Sequence, residues 1–351
     1  MDIVIFIGAI AALIFIHELG HFIAARLLKV DVEEFGIGFP PRLLKLFTLQ
    51  GTIYSLNWIP LGGFVRMKGE NDPDVPGGFM TAPPINRIII LLAGPMANIL
   101  FAILLYAIAF SQVGVPDTSR VLIMEIAPNS PAQQAGLQSG DYLVGINGTQ
   151  ADSTTSVQDA VRQSLDQPTT VVVQRNGQDI EVTLVPRSNP PAGEGAIGII
   201  MGNPTTPITL LQAIPMGADT VGQIGYSLVT LPMKVAKGAI QPDEARLVGF
   251  KGMFDIYQQV REGETSPAVP PSVNLLTFFA MISTSLGILN LLPIPALDGG
   301  RILFTLPELL FGKRIPHRLE NAVNAISFMI LIALLLYINL QDFINPIQFT
   351  R

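Results

Sequence analysis

Residues 3–28 read IVIFIGAIAALIFIHELGHFIAARLL, an apolar run broken only by His17, Glu18, His21 and Arg26. At about 1.5 Å of rise per residue, a helix of this length crosses a hydrocarbon layer of about 30 Å with residues to spare. The run starts after Met1-Asp2 without a basic leader and carries ionisable groups where a secretory signal stays apolar, so it reads as a retained helix. Placing two imidazoles and a carboxylate in lipid costs at least a few kcal/mol, which marks such groups as functional.

Working outward, three more segments have the same character: Ile88 to Phe110, Leu275 to Leu297 and Ala322 to Leu340. The composition agrees, with 49% hydrophobic and 14% charged residues over 351 positions. The net charge of −6 and the lack of any Lys/Arg cluster exclude a nucleic-acid binder. With no cysteine, disulfides, thiolate zinc sites and thiol nucleophiles are excluded together. The expected fold class is a multi-pass α-helical membrane protein of about four transmembrane helices with an inserted extramembrane α+β domain. Basic residues crowd the connections between spans one and two (Arg26, Lys29, Arg42, Lys45, Arg66, Lys68, Arg87) and between spans three and four (Arg301, Lys313, Arg314, Arg318). Both connections are therefore expected to be cytoplasmic, with both termini and the long central stretch outside.

Four parts follow. Residues 1–114 hold the first two spans, and 115–202 form the inserted domain. Residues 203–274 are an interfacial region and linker, and 275–351 the last two spans. In the inserted domain, Val121 to Ile126 and Thr170 to Gln174 read as strands, Val157 to Leu165 as a helix, and Asn176-Gly177 as a hairpin turn. Ile208 to Gly238 alternates apolar and polar residues, as an amphipathic helix on the lipid interface would. Gly263 to Pro271 reads as a linker.

His17-Glu18-Leu19-Gly20-His21 is a His-Glu-x-x-His motif in a chain with three histidines. Positions i and i+4 share a helical face, so both imidazoles can hold one metal while the carboxylate between them approaches a water. A catalytic zinc takes a third protein ligand, here a carboxylate or His317. Asp298 is the stronger candidate. It follows Pro293 and Pro295, which break helical bonding, and it precedes Gly299-Gly300, which leave the backbone free to turn the carboxylate inward. Depth agrees, because His17 lies about 21 Å below Ile3, in the cytoplasmic half where span three also ends.

The run from Asn129 to Gly148, with its Ala135-Gly136-Leu137 and Gly140-Asp141 elements, resembles the core of bacterial PDZ domains, which bind extended peptides or C-termini at a sheet edge. Taken with Phe15 to His21, Pro60 to Met67, Gly94-Pro95-Met96-Ala97-Asn98 and Asn290 to Asp298, the whole chain resembles the site-2 protease family of intramembrane zinc metalloproteases. The resemblance implies Zn2+ on His17, His21 and Asp298, with Glu18 as general base. It also implies cleavage of single-span substrates such as anti-sigma factors or remnant signal peptides in a bacterial cell membrane. Asn290 and Asn98 become candidates for substrate or oxyanion contact. The segment Thr52, Ile53, Tyr54, Ser55, in a hairpin turning at Asn57 to Pro60, becomes a candidate edge for an unwound substrate. The best-known relatives carry two PDZ domains where this chain shows one. A non-proteolytic PDZ scaffold with a structural metal is the competing reading, although a structural site has no use for Glu18.

Overall fold

The computed structural model describes residues 1–351 except 71, 73, 192, 240–245, 263–268 and 347–351, together with the side chains of Leu61 and His317. The chain divides into two compact units, Met1–Gln112 with Thr209–Arg351, and Val113–Ile208.

The first unit contains α1 (Asp2–Leu27), β1 (Val32–Leu49), β2 (Thr52–Met67) and α2 (Pro84–Val113). The second contains β3 (Val115–Pro116), β4 (Val121–Ile126), α3 (Pro131–Gln134), β5 (Tyr142–Ile146), β6 (Thr149–Gln150), α4 (Thr154–Gln163), β7 (Thr169–Arg175), β8 (Gln178–Leu184), β9 (Ile199–Gly202) and β10 (Thr205–Thr206). The chain then re-enters the first unit as α5 (Leu210–Ala236), α6 (Phe250–Glu262), α7 (Pro271–Asn290), α8 (Asp298–Phe311) and α9 (His317–Ile344). Among the described residues, four helical segments are long and apolar enough to cross a membrane: α1, α2, α7, and Arg318–Ile344 of α9.

Span three differs from its expected bounds. The helix ends at Asn290, seven residues before Leu297, because Pro293 and Pro295 lack the N–H that would continue it. The chain turns through 291–297 and starts α8 at Asp298. Asn290 and Asp298 therefore sit on two different helices.

The expected amphipathic stretch 208–238 is one helix, α5, opened by a capping box in which Thr209 and Gln212 bond each other's backbone N–H. Its buried residues are Ala213, Gly217, Val221 and Gly225. A Cβ on Gly217 would lie 2.7 Å from the Ile103 carbonyl oxygen, and one on Gly225 3.2 Å from Ile288 Cδ1. The small-residue face is thus packed against α2 and α7. Of the linker expected at Gly263 to Pro271, residues 263–268 lie outside the described residues.

The sheet is more folded than the hairpin expected from sequence. One reversal lies at Gln50-Gly51, both at positive φ, and a second between Ile59 and Gly63, beside the expected turn at Asn57 to Pro60. The two arms of the expected hairpin do not pair with each other, because Glu34 to Ile37 runs between them. Val32 to Ile37 pairs with Gly63 to Met67 along one edge, and Glu34 to Ile37 pairs with Ile53 to Leu56 along the other. The outer part of β1, Arg42 to Leu49, covers the far side of Thr52 to Asn57. Asn57 is buried at this bend and donates from Nδ2 to the Gly38 carbonyl at 3.0 Å. Glu34, buried inside the sheet, accepts from Arg42 (2.7 and 2.5 Å) and Arg66 (2.7 Å).

The second unit is a sheet of order β8-β7-β5-β4-β9, with β6 on β5, and helices α3 and α4. Asn176-Gly177, both at positive φ, make the expected β7-β8 turn. Val121, Ile123, Leu143, Ile146, Val157, Val171 and Val173 form its dry core. Asp141 is buried beside Arg175, which donates to both carboxylate oxygens at 2.7 Å.

Candidate metal centre

α1 meets α2 where both sequences are small. A Cβ on Gly20 would stand 2.3 Å from the Ala93 carbonyl oxygen, and one on Gly94 would stand 2.3 Å from His21 Nε2. These glycines let the helices approach until the His21 ring lies over the α2 backbone, where its Nδ1 meets the Ile90 carbonyl oxygen at 2.7 Å. A carbonyl can only accept, so Nδ1 carries the proton and Nε2 keeps its lone pair for a ligand. His17, one turn earlier on the same face, brings its Nε2 to 3.1 Å from that of His21.

Asp298 comes to them from α8. Its Oδ2 lies 3.1 Å from His17 Nε2 and 3.4 Å from His21 Nε2. That oxygen is buried and has no hydrogen-bond partner. An unbonded carboxylate oxygen facing two imidazole nitrogens, out of water, calls for a cation, and two nitrogens with one oxygen suit zinc. The three residues form a possible metal-holding group, with ligand atoms within 4.8 Å of one another.

The loop before Asp298 works differently from the sequence expectation. Gly299 and Gly300 are ordinary helical residues with no positive φ. Their value is smallness, since a Cβ on either would lie 2.3 Å from a carbonyl oxygen of the 291–294 turn. The left-handed residue is Ala296, at φ 75°, and its N–H is held by Asn324 Oδ1 of α9 at 3.1 Å.

Glu18, His17, His21 and Asp298 line one cavity of about 280 Å³ with Phe64, Val65 and Asn290. Glu18 Oε2 accepts from the Val65 N–H at 3.1 Å, which fixes the carboxylate at the cavity wall. Arg301, also on the wall, is paired with Glu70 at 2.9 Å.

The other predicted residues divide. Asn290 lines the cavity, but its Nδ2 is engaged by the Leu286 carbonyl at 2.9 Å. Asn98 lies buried behind His17, its Nδ2 3.5 Å from His17 Nδ1. Thr52, Ile53, Tyr54 and Ser55 are not brought to the centre. Ile53 to Ser55 are paired on both sides, and Thr52 and Ser55 are buried, with Thr52 Oγ1 donating to the Val32 carbonyl at 2.8 Å. They offer no free edge, and the strand beside Glu18 is Gly63 to Met67. The sequence reading passed over Gly94 as a partner of His21, Asn324 and Val65. Of these, only Gly94 left a signal, the Gly-x-x-x-Asn spacing.

Residues 5–334 match the family Peptidase family M50. Among curated proteins, the chain is 36% identical to "Putative zinc metalloprotease Cj1068" of Campylobacter jejuni, over 95% of this chain and 90% of that one. It is 31% identical to the chloroplastic membrane metalloprotease ARASP of Arabidopsis thaliana (96% and 77%). It is 27% identical to the regulator of sigma-W protease RasP of Bacillus subtilis (97% of each).

Proposed function

The chain belongs to peptidase family M50 and is a zinc metalloprotease of the membrane, and from that premise we propose that it cuts transmembrane segments of single-span proteins, with His17, His21 and Asp298 as zinc ligands and Glu18 as the base. One observation carries the assignment. Side chains from α1 and α8, 277 positions apart at their closest in sequence (298 − 21), converge on a single carboxylate oxygen inside the cavity that Glu18 lines.

Zinc, when bound, supplies Lewis acidity that makes water a competent nucleophile near neutral pH. Glu18, oriented by the Val65 N–H, takes the proton of the attacking water and delivers it to the departing amine. The Gly63 to Met67 strand lies beside that base and offers an extended track to a substrate that has lost its helix, because helical carbonyls are shielded by their own hydrogen bonds. Asn290, at the cavity wall, faces the reacting carbonyl once its own helix contact is exchanged. The crowding of basic residues in the two connections supports the reading that this cavity lies in the cytoplasmic half of the bilayer and residues 115–202 outside.

The second unit acts in this reading as a PDZ module for an exposed peptide or C-terminus. β9 ends its sheet, and a groove of about 320 Å³ lined by Val157, Val161, Ile197, Ile199 and Met201 runs beside it. The substrates are single-span proteins already trimmed outside, of the anti-sigma-factor or remnant-signal-peptide type.

The test is Glu18→Gln. Gln keeps an acceptor for Val65 N–H but cannot take a proton, so zinc content should stay unchanged while cleavage of a transmembrane peptide in detergent falls about 10²- to 10⁴-fold. Cleavage at the parent rate would remove Glu18 as the base. Bound zinc without hydrolysis in the unaltered chain would instead favour a scaffold.

A further inference from the structure

The two imidazoles are held by unlike partners. His21 Nδ1 faces a backbone carbonyl at 2.7 Å, which fixes its tautomer permanently. His17 Nδ1 faces the carboxamide of Asn98, with Nδ2 at 3.5 Å, while Asn98 Oδ1 is buried and has no partner. A zinc ion held by His17 Nε2 needs the proton on Nδ1, and an N–H facing an NH2 group is unsatisfied on both sides. A half-turn of the carboxamide cures this. It brings the unpartnered Oδ1 opposite Nδ1–H without moving the backbone, which Ser283 anchors by donating from Oγ to the Asn98 carbonyl at 2.8 Å.

We propose that Asn98 is a positioning residue that selects the tautomer of His17 by presenting Oδ1 to its Nδ1–H, so that Nε2 is free for zinc. The inference rests on His17 being a ligand, as proposed above. It moves Asn98 from the substrate side of the site to the far side of the metal. The residue is 1% exposed and is absent from the cavity wall, where a substrate would touch it. It also makes the two ligands unequal, one oriented by main chain and the other by a rotatable amide.

The test measures zinc affinity of the full-length protein in detergent micelles by competition with a chromophoric chelator, for Asn98→Leu, Asn98→Asp and His17→Ala. Leu has nearly the shape of Asn and no acceptor, so affinity should drop about 10- to 100-fold, the usual effect of losing a partner behind a metal-bound imidazole. Asp accepts with either oxygen and should match or exceed the parent affinity. Asn98→Leu binding zinc as tightly as the parent would overturn the proposal, and so would Asn98→Asp binding more weakly. Should Asn98→Leu fail to fold, Asn98→Asp decides alone, because a mere packing role predicts loss from a buried charge and tautomer selection predicts none. His17→Ala separates the two levels. Parent-like affinity there removes His17 as a ligand, whereas lost affinity there with an indifferent Asn98→Leu removes only the inference.

Discussion

Adding one methyl group at Gly94 tests the architecture of the centre without replacing a ligand. The new Cβ would stand 2.3 Å from His21 Nε2, 2.5 Å from Cε1 and 2.8 Å from Cδ2. Unstrained contacts of this kind are about 3.5 Å, so the ring must retreat by about 1 Å. Zinc–nitrogen bonds tolerate only about 0.2 Å around their preferred length, so this displacement detaches the ligand. Neither partner can absorb the clash. The ring is tied to the Ile90 carbonyl at 2.7 Å, and α2 is pinned to α7 where a Cβ on Gly287 would already lie 2.9 Å from the Pro95 carbonyl oxygen. Local helix stability moves the other way, since Ala is about 1 kcal/mol better than Gly inside a helix. Overpacking of about 1–3 kcal/mol outweighs that gain, so Gly94→Ala should melt no higher than the parent while zinc affinity falls by about 100-fold or more and hydrolysis falls with it. Zinc analysis after chelator challenge, alongside circular-dichroism melting, reads both. A variant that keeps one zinc per chain and the parent rate would refute the packing argument.

Two further outcomes concern the frame around the site. Burial alone would raise the Asp141 pKa, but the paired Arg175 and the Gln138 N–H outweigh it and hold the carboxyl below its ordinary value. This pair's contribution is complete above the unfolded carboxylate pKa of about 3.9 and is lost as pH falls through the lower folded value. Asp141→Asn should cost about 3 kcal/mol at pH 7 in urea unfolding followed by proteolysis within 113–208, with a gap that closes well below pH 4; an equal gap at both extremes contradicts the assignment. On α9, fully buried Asp342 accepts from the N–H groups of Gly249 (2.8 Å) and Gly252 (3.0 Å) and from Arg246 (2.7 Å), and so caps α6 from another helix. Asp342→Ala should weaken α6 by about 2 kcal/mol, seen as roughly 30-fold faster deuterium exchange across Phe250–Glu262; unchanged exchange would show that the cap is idle.

What the sequence disclosed depended on whether the signal was local. Helical spacing alone puts His17, Glu18 and His21 together, and the proline pair before Asp298 announces that a helix must break there. The spans were legible because lipid demands an unbroken apolar run. The lanes of the β1-β2 sheet were not, because pairing Glu34 with both Arg66 and Ile53 is a long-range choice that alternation along one strand does not encode. Whether Thr52 to Ser55 form an edge is such a choice, since a strand's exposure depends on which neighbours flank it. Gly299 and Gly300 pointed to the right place for the wrong reason. Glycine reports either a left-handed backbone or a missing Cβ, and only coordinates tell which. Ala296 adopts the left-handed conformation here although its side chain gives no hint of it.

Two of the three proposed zinc ligands ride on one stiff rod and the third on another, reached through the short turn at 291–297. Tilting α1 carries both imidazoles along together, whereas a change in its separation from α8 stretches only the carboxylate bond. The ion thereby becomes a gauge of helix spacing. A bilayer or micelle of the wrong thickness would show itself first as leaching of zinc from a protein whose helices are all still intact.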